Sequence, residues 1–140
     1  MSLVANHYTH PTTSSTSTGR QWAGRITSGL VVAFMLFDAI IHILVIPPVV
    51  TAFNQLGYPV SLSVGLGILE LACITLYVVS PTSALGAILL TGYLGGAIAS
   101  QVRIGAGVFP VVFASAVGVL FWVGLYLRED RLRELLPFRG

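Results

Sequence analysis

The chain has 140 residues, of which 55% are hydrophobic and only 9% are charged. Its mean hydropathy of +0.89 excludes an ordinary soluble domain, because five acidic and seven basic side chains are too few to cover a water-facing surface. The composition predicts a membrane protein. Every basic residue is arginine, and the arginines lie beside the ends of apolar segments. That placement suits anionic lipid head groups and excludes a basic face for nucleic acid.

The N-terminal residues 1–20 are rich in Ser and Thr and show no apolar periodicity, so we predict a disordered polar tail. His7 and His10 are interpreted as solvated side chains of this tail. No signal-peptide pattern precedes the first apolar segment, which is expected to serve as the targeting signal. The single cysteine, Cys73, falls within an apolar segment and is interpreted as a small buried side chain.

Four apolar segments of about 20 residues are predicted to cross the bilayer, because 1.5 Å per residue gives roughly the 30 Å of its hydrocarbon core. They are residues 26–46, 61–79, 84–102 and 108–127. Pro47 and Pro48 end the first span and begin a short interfacial helix that closes at Gly57 and Pro59. The turns 80–83 and 103–107 are short enough to join only antiparallel neighbours.

The predicted fold is all-α: a membrane-spanning antiparallel four-helix bundle with short interfacial helices after span 1 and at the C-terminus. It forms one membrane domain, residues 21–137, followed by a tail at 138–140. Six of the seven arginines flank the two termini, so the positive-inside tendency places both termini in the cytoplasm. Arg103 then lies on the outer side.

Small residues recur every four positions in the third span, at Gly92, Gly96 and Ser100. Such a ridge lets another helix approach closely. The pattern fits contacts within one bundle and contacts between copies equally well, so a homo-oligomer remains open.

Polar side chains from three spans are predicted to converge in the outer half of the membrane. Asp38 and His42 share one helix face at positions i and i+4. Counting residues from the outer boundary places the following side chains in that half: Asp38, His42, Glu70, Gln101 and Arg103. Tyr93, about midway down the third span, is a further candidate that could contribute its hydroxyl group. Because two carboxylates at one depth repel each other, one would keep its proton, or both would share Arg103 and His42.

The predicted cluster has two interpretations. In the first it is a pocket, open to the outer face, that binds a polar head such as a quinone carbonyl. In the second it is a structural network that fixes helix register. One histidine and two carboxylates could bind Fe or Mn in principle, but the Glu-x-x-His pairs of carboxylate bundles are absent. The prediction is therefore no metal, and no motif indicates haem or flavin.

The segments LFDAIIHI, GILELACITLYVVSPTSALGAILLTGYLGGAIASQVRIG and WVGLYLREDRLRELLP together resemble the DoxX-like family of small bacterial membrane proteins. The resemblance covers roughly residues 24–137 and implies a four-span bundle in the cytoplasmic membrane. The wider DoxX group includes subunits associated with thiosulfate:quinone oxidation. Asp38, Glu70 and Arg103 match the family pattern, whereas relatives often carry Lys in place of His42 and His in place of Gln101.

Three functions follow as hypotheses. The first is an accessory or quinone-side subunit of a membrane oxidoreductase, with the redox centres on a partner subunit. The second is a non-enzymatic module that binds or transports a small molecule or lipid. The third is a structural assembly protein whose polar residues only set helix register.

Overall fold

A computed structural model describes residues 16–129 and Leu132. All regular structure in these residues is helical, as predicted. The elements are α1 (Thr16–Leu44), α2 (Pro47–Leu56), α3 (Leu62–Val78), a 3-10 turn (Ser80–Thr82), α4 (Ser83–Arg103) and α5 (Val108–Arg128). The predicted C-terminal interfacial helix lies outside the described residues, apart from Leu132.

The four long helices form a ring in which each contacts two others. α1 packs against α3 and α5, and α4 packs against the same two helices. Apolar side chains from all four fill the centre of the ring, among them Met35, Ile74, Leu90 and Phe121, each at most 3% exposed. The short helix α2 lies outside the ring at one end, which we call the α2 end.

Three of the helical segments are long and apolar enough to cross a membrane: Thr18–Leu44, Ser80–Arg103 and Val108–Arg128. The fourth helix, α3, is apolar but has only 17 residues. Large apolar side chains also cover the outside of the ring, for example Leu30 at 69% exposed and Phe109 at 78%. A continuous apolar exterior is unfavourable in water and is expected where lipid is the solvent. The predicted multi-pass membrane character is confirmed.

Helix α1 begins ten residues before the predicted span. Residues 16–20, predicted to belong to the disordered tail, are helical. The close contact of α1 with α5 comes later, at Gly24, where an added Cβ would lie only 2.8 Å from the backbone nitrogen of Arg128. Before that contact, Thr18 and Gly19 are exposed. Residues 1–15 lie outside the described part of the chain.

The short helix α2 confirms the prediction made from its flanking residues. Pro47 and Pro48 occupy its first positions. Proline lacks a backbone N–H, and at these positions an N–H would have no acceptor within the helix. Gly57 ends the helix with φ of 70°, a left-handed conformation that strains residues with a side chain. Val49 and Phe53, 5% and 4% exposed, are buried against the ring. This amphipathic pattern holds α2 across the end of the bundle.

In the described part of the chain, Ser100 of the small-residue ridge of α4 lies 3.1 Å from the Tyr58 hydroxyl, whereas the two glycines of the ridge contact no other helix. A Cβ added at Gly92 or Gly96 would meet nothing within 4 Å. The close helix approaches occur instead at Gly86, which lies against the backbone of Tyr77, and at Gly124, whose added Cβ would lie 2.5 Å from Ser28 Oγ. A small-xxx-small pattern indicates that a helix can be approached closely, but not which neighbour approaches it.

A buried hydrogen-bond chain joins three helices near the end opposite α2. The Tyr77 hydroxyl donates to the Phe121 carbonyl oxygen at 2.9 Å and lies 2.9 Å from Ser28 Oγ. Since the phenolic proton points to the carbonyl, Ser28 is the donor in the second bond. The Arg128 guanidinium lies 4.5 Å from the centre of the Tyr77 ring. Polar contacts thereby fix the relative positions of α1, α3 and α5.

We predict that Gly86→Ala destabilises the protein by about 1–3 kcal/mol, because the new methyl group would overlap backbone that cannot rotate aside. Gly92→Ala is the matched control, since its methyl group enters open space. Thermal unfolding of both variants in detergent measures the difference. Equal melting temperatures for the two variants would contradict this packing.

Candidate functional site

The candidate site lies where α3 packs most closely against α1. A Cβ added at Gly67 would lie 2.8 Å from the Ala39 carbonyl oxygen and 3.1 Å from His42 Cβ. One turn earlier, the Ser63 hydroxyl donates to the His42 carbonyl oxygen at 2.7 Å. Glu70 follows Gly67 by three residues and so shares this face of α3. The absence of a side chain at Gly67 therefore lets Glu70 reach the end of α1.

Asp38, His42 and Glu70 form a compact cluster, which we call the acid–histidine cluster. One side-chain atom of each residue that could bind a metal ion lies within 4.8 Å of the corresponding atoms of the other two. His42 Nδ1 is 2.9 Å from the Asp38 carbonyl oxygen and 3.4 Å from Asp38 Oδ2. A carbonyl oxygen only accepts, so Nδ1 carries the proton in this contact. In the neutral ring, Nε2 then offers a lone pair.

Glu70 is the most deeply buried member of the acid–histidine cluster, with a relative exposure of 0%. Its Oε2 accepts a hydrogen bond from the Tyr93 hydroxyl at 3.0 Å. Its Oε1 is also buried, and no N–H or hydroxyl group in the described part of the chain donates to it. The carboxyl group of Asp38 lies within hydrogen-bonding range of the Glu70 side chain. Leaving a carboxylate oxygen unpaired in an apolar interior is costly. A proton or a bound ligand is needed to offset that cost.

The other two members of the acid–histidine cluster are less buried than Glu70. The side chain of His42 is 19% exposed and that of Asp38 is 32% exposed. The ring of Phe53, on α2, lies edge-on to the His42 ring with centroids 5.8 Å apart. The acid–histidine cluster is thus closed at Glu70 and partly exposed at Asp38 and His42. We call the partly exposed side, which adjoins α2 at His42, the mouth of the cluster.

The expected pairing of Arg103 with the carboxylates is not found. Its guanidinium donates to the Leu56 carbonyl oxygen and lies 5.0 Å from the centre of the Tyr58 ring. Leu56 is the last residue of α2, and unsatisfied carbonyl groups at a helix C-terminus attract cations. This exposed contact also avoids the cost of burying a guanidinium. Arg103 therefore anchors α2 to α4 instead of joining the acid–histidine cluster.

Of the six sequence-predicted site residues, the structure brings four together: Asp38, His42, Glu70 and Tyr93. No hydrogen bond or ion pair found among residues 16–129 links the Gln101 side chain to them. Ser63 and Gly67 also shape the site, and their spacing from Glu70 by seven and three residues puts them on its helix face. The position of Phe53 beside His42 could not be predicted from the sequence pattern, because it depends on how α2 packs against the four long helices.

A second feature is an apolar groove of about 710 Å³ between α4 and α5. Its walls include Leu94, Ile98, Ala114, Val119 and Trp122. The Trp122 indole N–H donates to the Thr91 hydroxyl at 2.9 Å and so joins the two helices across the groove. Its size and lining suit a hydrocarbon chain.

Comparisons with known proteins give one match. No curated protein and no solved structure matches the chain. The model of the DoxX-like family matches residues 26–124, well over half of the chain, and this segment contains the whole acid–histidine cluster together with Tyr93. The chain belongs to the DoxX-like family.

Proposed function

We propose that the chain crosses a bacterial cytoplasmic membrane four times as an antiparallel bundle, with both termini in the cytoplasm. With 17 residues, α3 is about 26 Å long, which is at the short end of the range for a transmembrane helix. Arg20, Arg25 and Arg128 lie near one end of the ring, whereas Arg103 lies at the α2 end. The positive-inside tendency then supports placing the α2 end at the outer face.

We propose further that the acid–histidine cluster binds the polar head of an amphipathic molecule, a quinone above all. The protein would then act as the quinone-side subunit of a membrane oxidoreductase. The observation that carries this proposal is the buried Glu70 carboxyl group, to whose Oε1 no N–H or hydroxyl group in the described part of the chain donates, while Asp38 and His42 stand at a partly open mouth. Ionisable groups inside a membrane segment usually serve such a polar function.

The chemistry of a quinone fits these side chains. Reduction to the quinol consumes two electrons and two protons, and each carbonyl oxygen requires a hydrogen-bond donor. A protonated carboxyl group of the Asp38–Glu70 pair and the N–H of a protonated His42 are candidate donors. The sequence has no flavin, haem or iron–sulfur motif, so a partner subunit would supply both electrons. Protons would be restored from water at the mouth of the cluster.

A second candidate function is a non-enzymatic module that binds a lipid or another apolar molecule. The α4–α5 groove favours it, because about 710 Å³ of apolar space is enough for a sizeable hydrocarbon chain. In that case the occupant would lie against Trp122 and Ile98. The acid–histidine cluster would then serve only to fix the register of α1 and α3.

Labelling in intact cells tests the proposed topology. In a Cys73→Ala background we expect a membrane-impermeant maleimide to label Thr51→Cys, on α2, and Ala106→Cys, between α4 and α5. Both positions are exposed at the α2 end. Glu129→Cys, just after α5, should react only after the cells are permeabilised. The reverse pattern would contradict the orientation.

Photoaffinity labelling with a short-tailed azidoquinone tests the proposed ligand. We expect Asp38→Asn and Glu70→Gln to reduce labelling about tenfold or more, because a charge-assisted hydrogen bond contributes about 1.5–3 kcal/mol. Glu129→Gln is the control, since this acid lies at the other end and accepts a hydrogen bond from Ser80. Labelling that is unchanged in both cluster variants and maps to α4 and α5 would favour the lipid-binding alternative.

A further inference from the structure

We propose that Asp38, His42 and Glu70 bind one divalent first-row transition-metal ion. This inference goes beyond the proposed quinone function and does not depend on it. It also departs from the sequence-based prediction of no metal, which set aside a site of one histidine and two carboxylates because the Glu-x-x-His pairs of carboxylate bundles are absent. The structure shows a different arrangement, in which α1 supplies a carboxylate and an imidazole and α3 supplies a second carboxylate.

The three possible metal ligands determine which class of ion the site would prefer. One imidazole and two carboxylates suit Zn²⁺, Mn²⁺ or Fe²⁺, whereas Cu(I) prefers thiolate and thioether ligands. Ca²⁺ and Mg²⁺ prefer sites built from oxygen atoms alone. Three protein ligands leave at least one coordination position for water or a bound molecule, as in catalytic metal sites.

The distances are compatible with a shared ion after a small contraction. Ligand atoms about 2.0–2.2 Å from one ion can be no more than about 4.4 Å apart. One possible ligand atom from each of the three side chains lies within 4.8 Å of the other two. Rotation of the less buried Asp38 and His42 side chains could close the remaining gap.

One observation points to a ligand, and another is compatible with it. First, Glu70 is fully buried beside the carboxyl group of Asp38, and no N–H or hydroxyl group in the described part of the chain donates to its Oε1. A cation would satisfy this oxygen and neutralise two carboxylates in apolar surroundings. Second, the His42 Nδ1–H donates to the Asp38 carbonyl oxygen. Histidine ligands commonly use their other ring nitrogen in this way, which orients the imidazole.

Tyr93 supports the proposed site without being a ligand. Its hydroxyl donates to Glu70 Oε2 at 3.0 Å, and this bond would hold the carboxylate in place. Removing hydrogen-bond partners of metal ligands typically lowers metal affinity 10- to 100-fold. Tyr93→Phe should therefore weaken binding without abolishing it, whereas loss of a ligand should abolish it.

The test uses the full-length protein in detergent, stripped with a chelator and then titrated with Zn²⁺ against a chromophoric chelator. Metal retained after desalting is counted by elemental analysis. We expect one Zn²⁺ per chain for the wild type and for the controls Glu129→Gln and His7→Ala/His10→Ala. Asp38→Asn and Glu70→Gln should lose the ion, and Tyr93→Phe should bind about 10- to 100-fold more weakly.

Thermal unfolding with and without Zn²⁺ distinguishes a variant that has lost the metal site from a variant that is not folded. Zn²⁺ should raise the melting temperature of the wild type and leave that of Glu70→Gln unchanged, provided that both are folded before the metal is added. No retained Zn²⁺ in the wild type, or equal retention in the wild type and Glu70→Gln, would overturn the inference. Glu70-dependent azidoquinone labelling of protein that binds no Zn²⁺ would overturn this inference alone and leave the quinone proposal standing.

Discussion

The close packing of α1 and α3 at Gly67 is the constraint on which the rest of the site depends. Where the two helices meet, a single added methyl group would overlap the Ala39 carbonyl oxygen. This proximity brings Glu70 beside Asp38 and His42, in a part of the protein where apolar side chains face both the core and the surrounding lipid. The energetic cost of two carboxyl groups in that place is the main physical argument for a function.

The two ends of the ring use polar groups differently. At the end opposite α2, the hydroxyl groups of Ser28 and Tyr77 both have an acceptor, although Nε of Arg128 is buried there without a hydrogen-bond partner among the described residues. At the α2 end, the buried Glu70 carboxyl group lies beside the carboxyl group of Asp38, and no N–H or hydroxyl group among the described residues donates to its Oε1. Two carboxyl groups in contact in apolar surroundings need a proton or a cation between them. The arrangement therefore favours a site that receives a proton, a metal ion or a polar head group.

Much of this structure could be predicted from the sequence, because hydrophobic segments of membrane length define helices directly. The positions of α2, α4 and α5 agree with the apolar pattern and its Pro and Gly boundaries. The convergence of Asp38, His42, Glu70 and Tyr93 followed from their helix faces and depths. These features depend on local periodicity and on short connections, which the sequence determines.

The remaining features depend on which surfaces meet, and the apolar pattern does not contain that information. Arg103 was expected to pair with the carboxylates, but the end of α2 provides a carbonyl group and the Tyr58 ring at lower desolvation cost. Gly92 and Gly96 have no neighbouring helix among the described residues, while Gly24 and Gly67 make the close contacts of α1 with α5 and α3. Tertiary packing decided each of these cases.

A double-mutant cycle between Asp38→Asn and Glu70→Gln, measured as free energies of unfolding in detergent, tests the central claim most directly. The account predicts a coupling energy of about 0.5–3 kcal/mol, as found for residues in one polar network. Effects that add to within about 0.3–0.5 kcal/mol would show that the two carboxyl groups are independent and would contradict the account.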